Sequence, residues 1–134
     1  MTPTMEIALI NMLDLAGEKP FEWGQNDCNT LALEWLDRVS GTEWLKKVKG
    51  TYSDKKSAIK VASELPKWAD GLIYEGWVEV HREDSTVGDI AIVESKHYDM
   101  GHIVMGAHMV SLHETDGMVK IPLDAVEARF FRGL

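Results

Sequence analysis

A single cysteine, Cys28, is all the thiol chemistry in this 134-residue chain. That excludes an internal disulfide and any zinc site built from two or more cysteines. Long apolar runs are missing too: none approaches the roughly 18 residues that a membrane-spanning helix needs. Basic charge is scarce, with 14 Lys and Arg against 22 Asp and Glu for a net charge of -8. Phosphate affinity comes from clustered Lys and Arg, so nucleic acid is not an expected partner. The short runs Lys46-Lys47-Val48-Lys49 and Lys55-Lys56 lie among acidic residues and read as solvated helix faces. Met1 to Leu15 has no basic opening and carries Glu6 and Asp14, so it is expected to be a helix of the folded protein and not a signal peptide. There is no Gly-x-Ser-x-Gly elbow, phosphate-binding glycine loop, dinucleotide fingerprint, repeat or linker. The acidic residues show no spacing that suggests a two-carboxylate glycosidase. Residues 1–134 are therefore read as one domain, and its 45% hydrophobic content is enough for a core.

Three amphipathic helices are expected first. Thr2-Pro3 opens one with Met5, Leu9, Met12 and Leu13 on its apolar stripe, closed by Gly17. A loop marked by Pro20 and Gly24 leads to a second helix beginning near Asp27. On it Cys28, Leu31, Ala32, Trp35, Leu36 and Val39 recur at helical spacing before Gly41. Ser53 or Asp54 caps a third, carrying Ala58, Ile59, Ala62 and Leu65, which stops before Pro66. After Gly71 the pattern changes. Trp77–Val80, Ile90–Val93, His102–Met105, His108–Leu112 and Met118–Ile121 read as short strands joined by tight turns. Helices followed by strands predict an α+β domain, with N-terminal helices packed on a C-terminal, mostly antiparallel sheet.

Cys28 falls in the first turn of the second helix, where unpaired backbone N–H groups and the positive end of the helix dipole favour a thiolate. The segment around it, Phe21-Glu22-Trp23-Gly24-Gln25-Asn26-Asp27-Cys28, resembles the nucleophile segment of the NlpC-type cell-wall cysteine peptidases. It is closer still to small phage-encoded NlpC-like proteins, in which Trp-Gly, two residues and Asp-Cys follow an N-terminal helix and a Gly-x-Tyr element comes later. Here that element is Gly50-Thr51-Tyr52. The resemblance continues through Gly88-Asp89-Ile90, Gly101-His102-Ile103-Val104-Met105-Gly106 and Asp116-Gly117, and so spans about Met5 to Arg132. It implies a papain-like NlpC-type fold with Cys28 as nucleophile. Trp23, Asp27 and Cys28 form the candidate oxyanion and substrate-binding group. Trp23 either walls the cleft or packs the loop, while Trp35, Trp44, Trp68 and Trp77 read as core. Two positions depart from the family pattern. Phe21 stands where many members carry a Tyr whose hydroxyl shapes the oxyanion site, which leaves the Cys28 N–H as the evident donor. Asn29-Thr30 replaces the usual Ser-Gly after the cysteine.

A thiol nucleophile needs a base within reach, and the base needs a third group to orient it. Of the five histidines, His102 opens a strand directly after Gly101, where the resemblance places the catalytic His. If Gly106-Ala107 is a two-residue hairpin turn, His102 lies opposite Ser111, and His113 is its diagonal neighbour on the same face. The family's third residue, often His, also falls on this next strand. A three-residue loop would invert the parity and leave Ser111 or Glu114 instead. His81, His97 and His108 read as surface or half-buried side chains without a role. The spacing of His97, His102 and His113 matches no standard metal pattern, so no metal and no cofactor is expected.

The resemblance implies a peptidase or amidase that cleaves peptidoglycan stem peptides. Its setting would be a phage tail tip, made in the host cytoplasm and working beside other tail-tip or baseplate proteins during wall penetration. Two rival expectations stand beside it: a structural tail or baseplate component with an NlpC-like fold and little activity, and an amidase or deamidase acting on a protein partner.

Overall fold

The computed structural model describes residues 1–133; Leu134, the last residue of the expected domain, lies outside the described residues. Helix α1 spans Pro3–Gly17, with the Thr2 hydroxyl accepting the Met5 N–H and Pro3 in the first turn. Helix α2 spans Cys28–Ser40 and begins with a reciprocal cap: the Asp27 carboxylate accepts the Thr30 N–H, and the Thr30 hydroxyl accepts the Asp27 N–H. Gly41, at φ 68°, ends it. Helix α4, Lys55–Glu64, carries the same kind of cap between Asp54 and Ser57. Two short helices, α3 (Trp44–Val48) and α5 (Trp68–Tyr74), complete the helical half. Among the described residues no helix is long and apolar enough to cross a membrane.

The strands are β1 (Val78–Val80), β2 (Ile90–Val93), β3 (Met100–Met105), β4 (His108–His113), β5 (Gly117–Pro122) and β6 (Arg129–Arg132). They form one sheet in the order β1-β6-β2-β3-β4-β5, with every neighbouring pair antiparallel. The molecule is thus an α+β domain. Strands β3 and β4 pair Met105 with His108 across a two-residue turn. Gly106 takes φ 79° there while Ala107 keeps negative φ, the combination of a type II′ hairpin.

The main core lies between α1, α2 and one face of the sheet. It includes Leu9, Leu31, Trp35, Leu36, Ile90, Ile92, Ile103, Val110, Leu112 and Phe131. Each fully buried Leu or Ile contributes roughly 1.5–3 kcal/mol. The opposite face holds a smaller core of Ala91, Val104, Met109 and Phe130, joined by Val80 and Ile121 from the two edge strands. Val80 packs beside its cross-strand partner Phe130 and Ile121 beside Met109, so this cluster extends to both edges of the sheet.

Alternation along β3 decides which residue meets α2. A Cβ on Gly101 would sit 2.5 Å from the Ala32 Cβ, so the bare glycine faces the helix and lets it lie close. His102 pairs with Ala91 and takes the other face. Trp35 Nε1 donates to the Gly88 carbonyl at 2.8 Å, farther along the same contact. Helix α2 therefore lies along β3, with Cys28 over the strand's beginning.

Candidate active site

Asp27 is the hub of the segment before Cys28. Its carboxylate accepts from Thr30 N–H at 2.8 Å, Gly24 N–H at 2.8 Å and the Tyr52 hydroxyl at 2.6 Å, all buried. Gly24 takes φ 80°, and a Cβ there would lie 2.0 Å from the Tyr52 carbonyl oxygen. The Gly50 N–H donates to the Gly24 carbonyl at 2.9 Å. The Trp-Gly, Asp-Cys and Gly-x-Tyr elements of the sequence are thus one construction: the glycine admits Tyr52, and Tyr52 holds the aspartate that caps the cysteine's helix. Asn26 closes the same loop by donating its side-chain amide to the carbonyls of Ala16, Lys19 and Pro20.

Cys28 occupies the first position of α2 and is buried. Burial pushes its thiol up to about 12, with the Asp27 charge adding to the push. The backbone N–H groups of Asn29, Cys28 and Gly101 pull the other way. The resting group is a protonated thiol. Asn29, the next residue, bridges helix and sheet: its Oδ1 accepts the Gly101 N–H at 2.8 Å and the Trp68 indole N–H at 2.9 Å, and its Nδ2 donates to the Asp99 carbonyl at 3.0 Å. Cys28 and His102 are each one residue away from the ends of that Asn29–Gly101 bond.

His102, only 1% exposed, and the half-buried His113 share a sheet face, with Nε2 atoms 3.3 Å apart and rings edge to face. The His102 Nδ1 lies 3.1 Å from the Met100 carbonyl, which can only accept. That bond assigns the proton of His102 to Nδ1, so its Nε2 is the acceptor and the His113 Nε2–H the donor. Burial lowers His102 to about 4 and also lowers His113, against a smaller opposing pull from Asp116. Ser111, opposite His102 as the hairpin parity predicts, donates its hydroxyl to the Gly101 carbonyl at 2.8 Å.

A cavity of about 520 Å³ opens beside Cys28. Trp23, Trp44, Tyr52 and Trp68 contribute aromatic walls, Asp27 and Asn29 line it near the thiol, and Ser95 to Asp99 close one side. The structure therefore brings Trp23, Asp27 and Cys28 to one cavity, and His102 and His113 to each other. His102 does not line that cavity, and no hydrogen bond joins it to Cys28. His97 lines the cavity apart from the other two histidines.

A family model described as a domain of unknown function matches residues 1–132. The chain belongs to the DUF6950 family. The match takes in both the Trp23–Cys28 segment and the His102–His113 hairpin, so the DUF6950 domain contains the whole candidate site. No curated protein and no solved structure matches the chain.

Sequence reasoning missed two members of this DUF6950 site. Asn29 entered it only as a departure from Ser-Gly, although its spacing from Asp27 places it at the helix mouth. Tyr98 lies in a polar loop with no periodic signal. Trp44 and Trp68, read as core, are only partly buried and line the cavity.

Proposed function

We propose that this protein is a cysteine hydrolase of the papain-like NlpC type, cleaving a peptide or amide bond through Cys28, with His102 as general base and His113 as its orienting partner. The observation that carries the reading is the Asn29 bridge. It holds the start of the cysteine's helix against β3, the strand that bears the buried His102 with half-buried His113 beside it on β4, next to a cavity large enough for a peptide segment.

In this reading the Cys28 sulfur attacks the substrate carbonyl carbon while its proton passes to His102. The carbonyl oxygen becomes an oxyanion near the Cys28 and Asn29 N–H groups. Collapse breaks the C–N bond, the leaving amine takes the proton from His102, and a thioester remains on Cys28. Water, deprotonated by His102, then releases the acid and the free thiol. His102 enters this cycle through its other tautomer. The step requires His102 to turn from its place on the sheet face opposite α2: its Nδ1 exchanges the Met100 carbonyl for the Cys28 thiol, and its Nε2–H donates to a His113 whose own ring proton has moved to Nδ1. The exchange gives up one neutral hydrogen bond, of order 1 kcal/mol. The substrate proposed is the peptidoglycan stem peptide, in a phage tail tip beside other tail proteins, on the strength of the Trp-Gly-x-x-Asp-Cys and Gly-His resemblance.

The pH dependence of Cys28 alkylation by iodoacetamide, in the natural protein and in His102→Ala, tests the dyad. A thiol raised to about 12 and left alone is almost wholly protonated at pH 7, so His102→Ala should label only through trace thiolate, with a rate that climbs as pH rises. With His102 acting as base, labelling should persist down to its own titration near pH 4 and exceed the variant's at pH 7 by at least about 10-fold. Identical profiles would sink the hydrolase reading. They would favour a structural tail component with an NlpC-like fold, a reading supported by the depth of Cys28 burial and the missing Cys28–His102 hydrogen bond.

A further inference from the structure

The segment between β2 and β3 contributes five consecutive residues, Ser95 to Asp99, to the cavity beside Cys28. Its shape is fixed at both ends. The Ser95 hydroxyl donates to the Tyr98 carbonyl and accepts the Tyr98 N–H. Just beyond, Asn29 takes the Asp99 carbonyl at 3.0 Å and the Gly101 N–H at 2.8 Å. The residue after the thiol therefore sets where Tyr98 stands.

The chain has three tyrosines. Tyr74 is exposed on α5 and does not line the cavity. Tyr52 gives its hydroxyl to Asp27 at 2.6 Å and has none to spare. Tyr98 is half-buried, and its hydroxyl has no hydrogen-bond partner among the described residues. Among the described residues no buried side-chain oxygen is left without a partner, so this hydroxyl is solvent-accessible, and Tyr98 lines the same cavity as Cys28. Burial pushes the Tyr98 phenol up to about 12, and negative charge on Cys28, when the thiol ionises, and then on Asp27 adds to the shift. It is a protonated, unspent donor at neutral pH.

Phe21 supplies no hydroxyl; its ring packs edge-on against Trp23 with centroids 5.0 Å apart. We propose that Tyr98 is a further catalytic residue, its phenol donating a hydrogen bond to the oxyanion that forms when Cys28 adds to a substrate carbonyl. The assignment rests on the hydrolase reading. Asn29 is then a positioning residue, acting through the loop it pins.

Two reagents separate the steps. Iodoacetamide alkylates a thiol without forming an oxyanion, whereas a peptide aldehyde such as acetyl-alaninal adds to the thiol to give a hemithioacetal carrying the relevant oxygen. Protection of Cys28 from iodoacetamide by the aldehyde measures that adduct. Tyr98→Phe should weaken protection at least about 10-fold while changing the iodoacetamide rate less than about twofold, in line with the loss of one oxyanion donor. Tyr98→Ala should show the same loss of protection, and Tyr74→Phe none. Equal protection in the natural protein and Tyr98→Phe, with Cys28 still reactive, overturns the Tyr98 assignment and leaves the hydrolase reading standing. A Cys28 that takes up neither reagent in the natural protein overturns both.

Discussion

Asp27 collects three buried donors, from Thr30, Gly24 and Tyr52, and each stems from a different feature of the sequence. Thr30 is a helix capping partner, Gly24 a loop glycine, and Tyr52 a residue 25 positions away. Removing the Tyr52 hydroxyl leaves a buried carboxylate oxygen short of a charge-assisted bond. Tyr52→Phe should therefore lose about 1–3 kcal/mol of stability in urea unfolding. An unchanged midpoint would mean that water replaces the phenol. At this scale much of the site was legible. Asp27 reads as the cap of the helix that Cys28 begins, and a two-residue turn at Gly106-Ala107 places His102 and His113 on one face, as the structure has them. Tyr98 was illegible because its position depends on the Asn29 clamp, a contact between residues about 70 positions apart that no local pattern records.

Among the elements, α1, α2 and α4 were readable because each starts with a side-chain cap and is long enough to show a period. The short α3 and α5 have no side-chain cap bond, and their residues become helical through packing. Strand β6 escaped for a different reason. In Arg129-Phe130-Phe131-Arg132 the adjacent phenylalanines are both buried, one in each core, so the in–out alternation that marks a strand disappears. The helix–sheet contact is most exposed to change at Gly101. In Gly101→Ala the new Cβ would meet Ala32 at 2.5 Å and force α2 away from β3, costing about 1–3 kcal/mol by overpacking. Adding Ala32→Gly removes the opposing methyl and should recover part of that loss beyond simple additivity. A double-mutant cycle in urea measures the coupling, and strict additivity would place the clash elsewhere.

For the whole molecule, the buried His102 ties stability to pH. Its value falls from 6.5 in the unfolded chain to about 4 in the fold, chiefly through burial. Between those values the unfolded state binds the extra proton. Stability is therefore full above about pH 6.5 and declines as pH drops through the window, by up to about 3 kcal/mol from this one group. Unfolding curves at pH 7, 5.5 and 4.5 should show the decline, and His102→Gln should flatten much of it. The lowered His113 acts in the same direction. A slope that survives unchanged in His102→Gln would assign it to other groups.

Cys28 lies where the helical half meets the sheet half, with Asn29 stitching one to the other. As the chain's sole thiol, it doubles as an internal clock for the breathing of that seam. Under conditions in which only the open form can be labelled, the labelling rate is set by how often the two halves part. A molecule that bridges Trp23 and Trp68 across the cavity would then slow the clock in proportion to its occupancy, so binding could be read from the protein's own sulfur with no turnover at all.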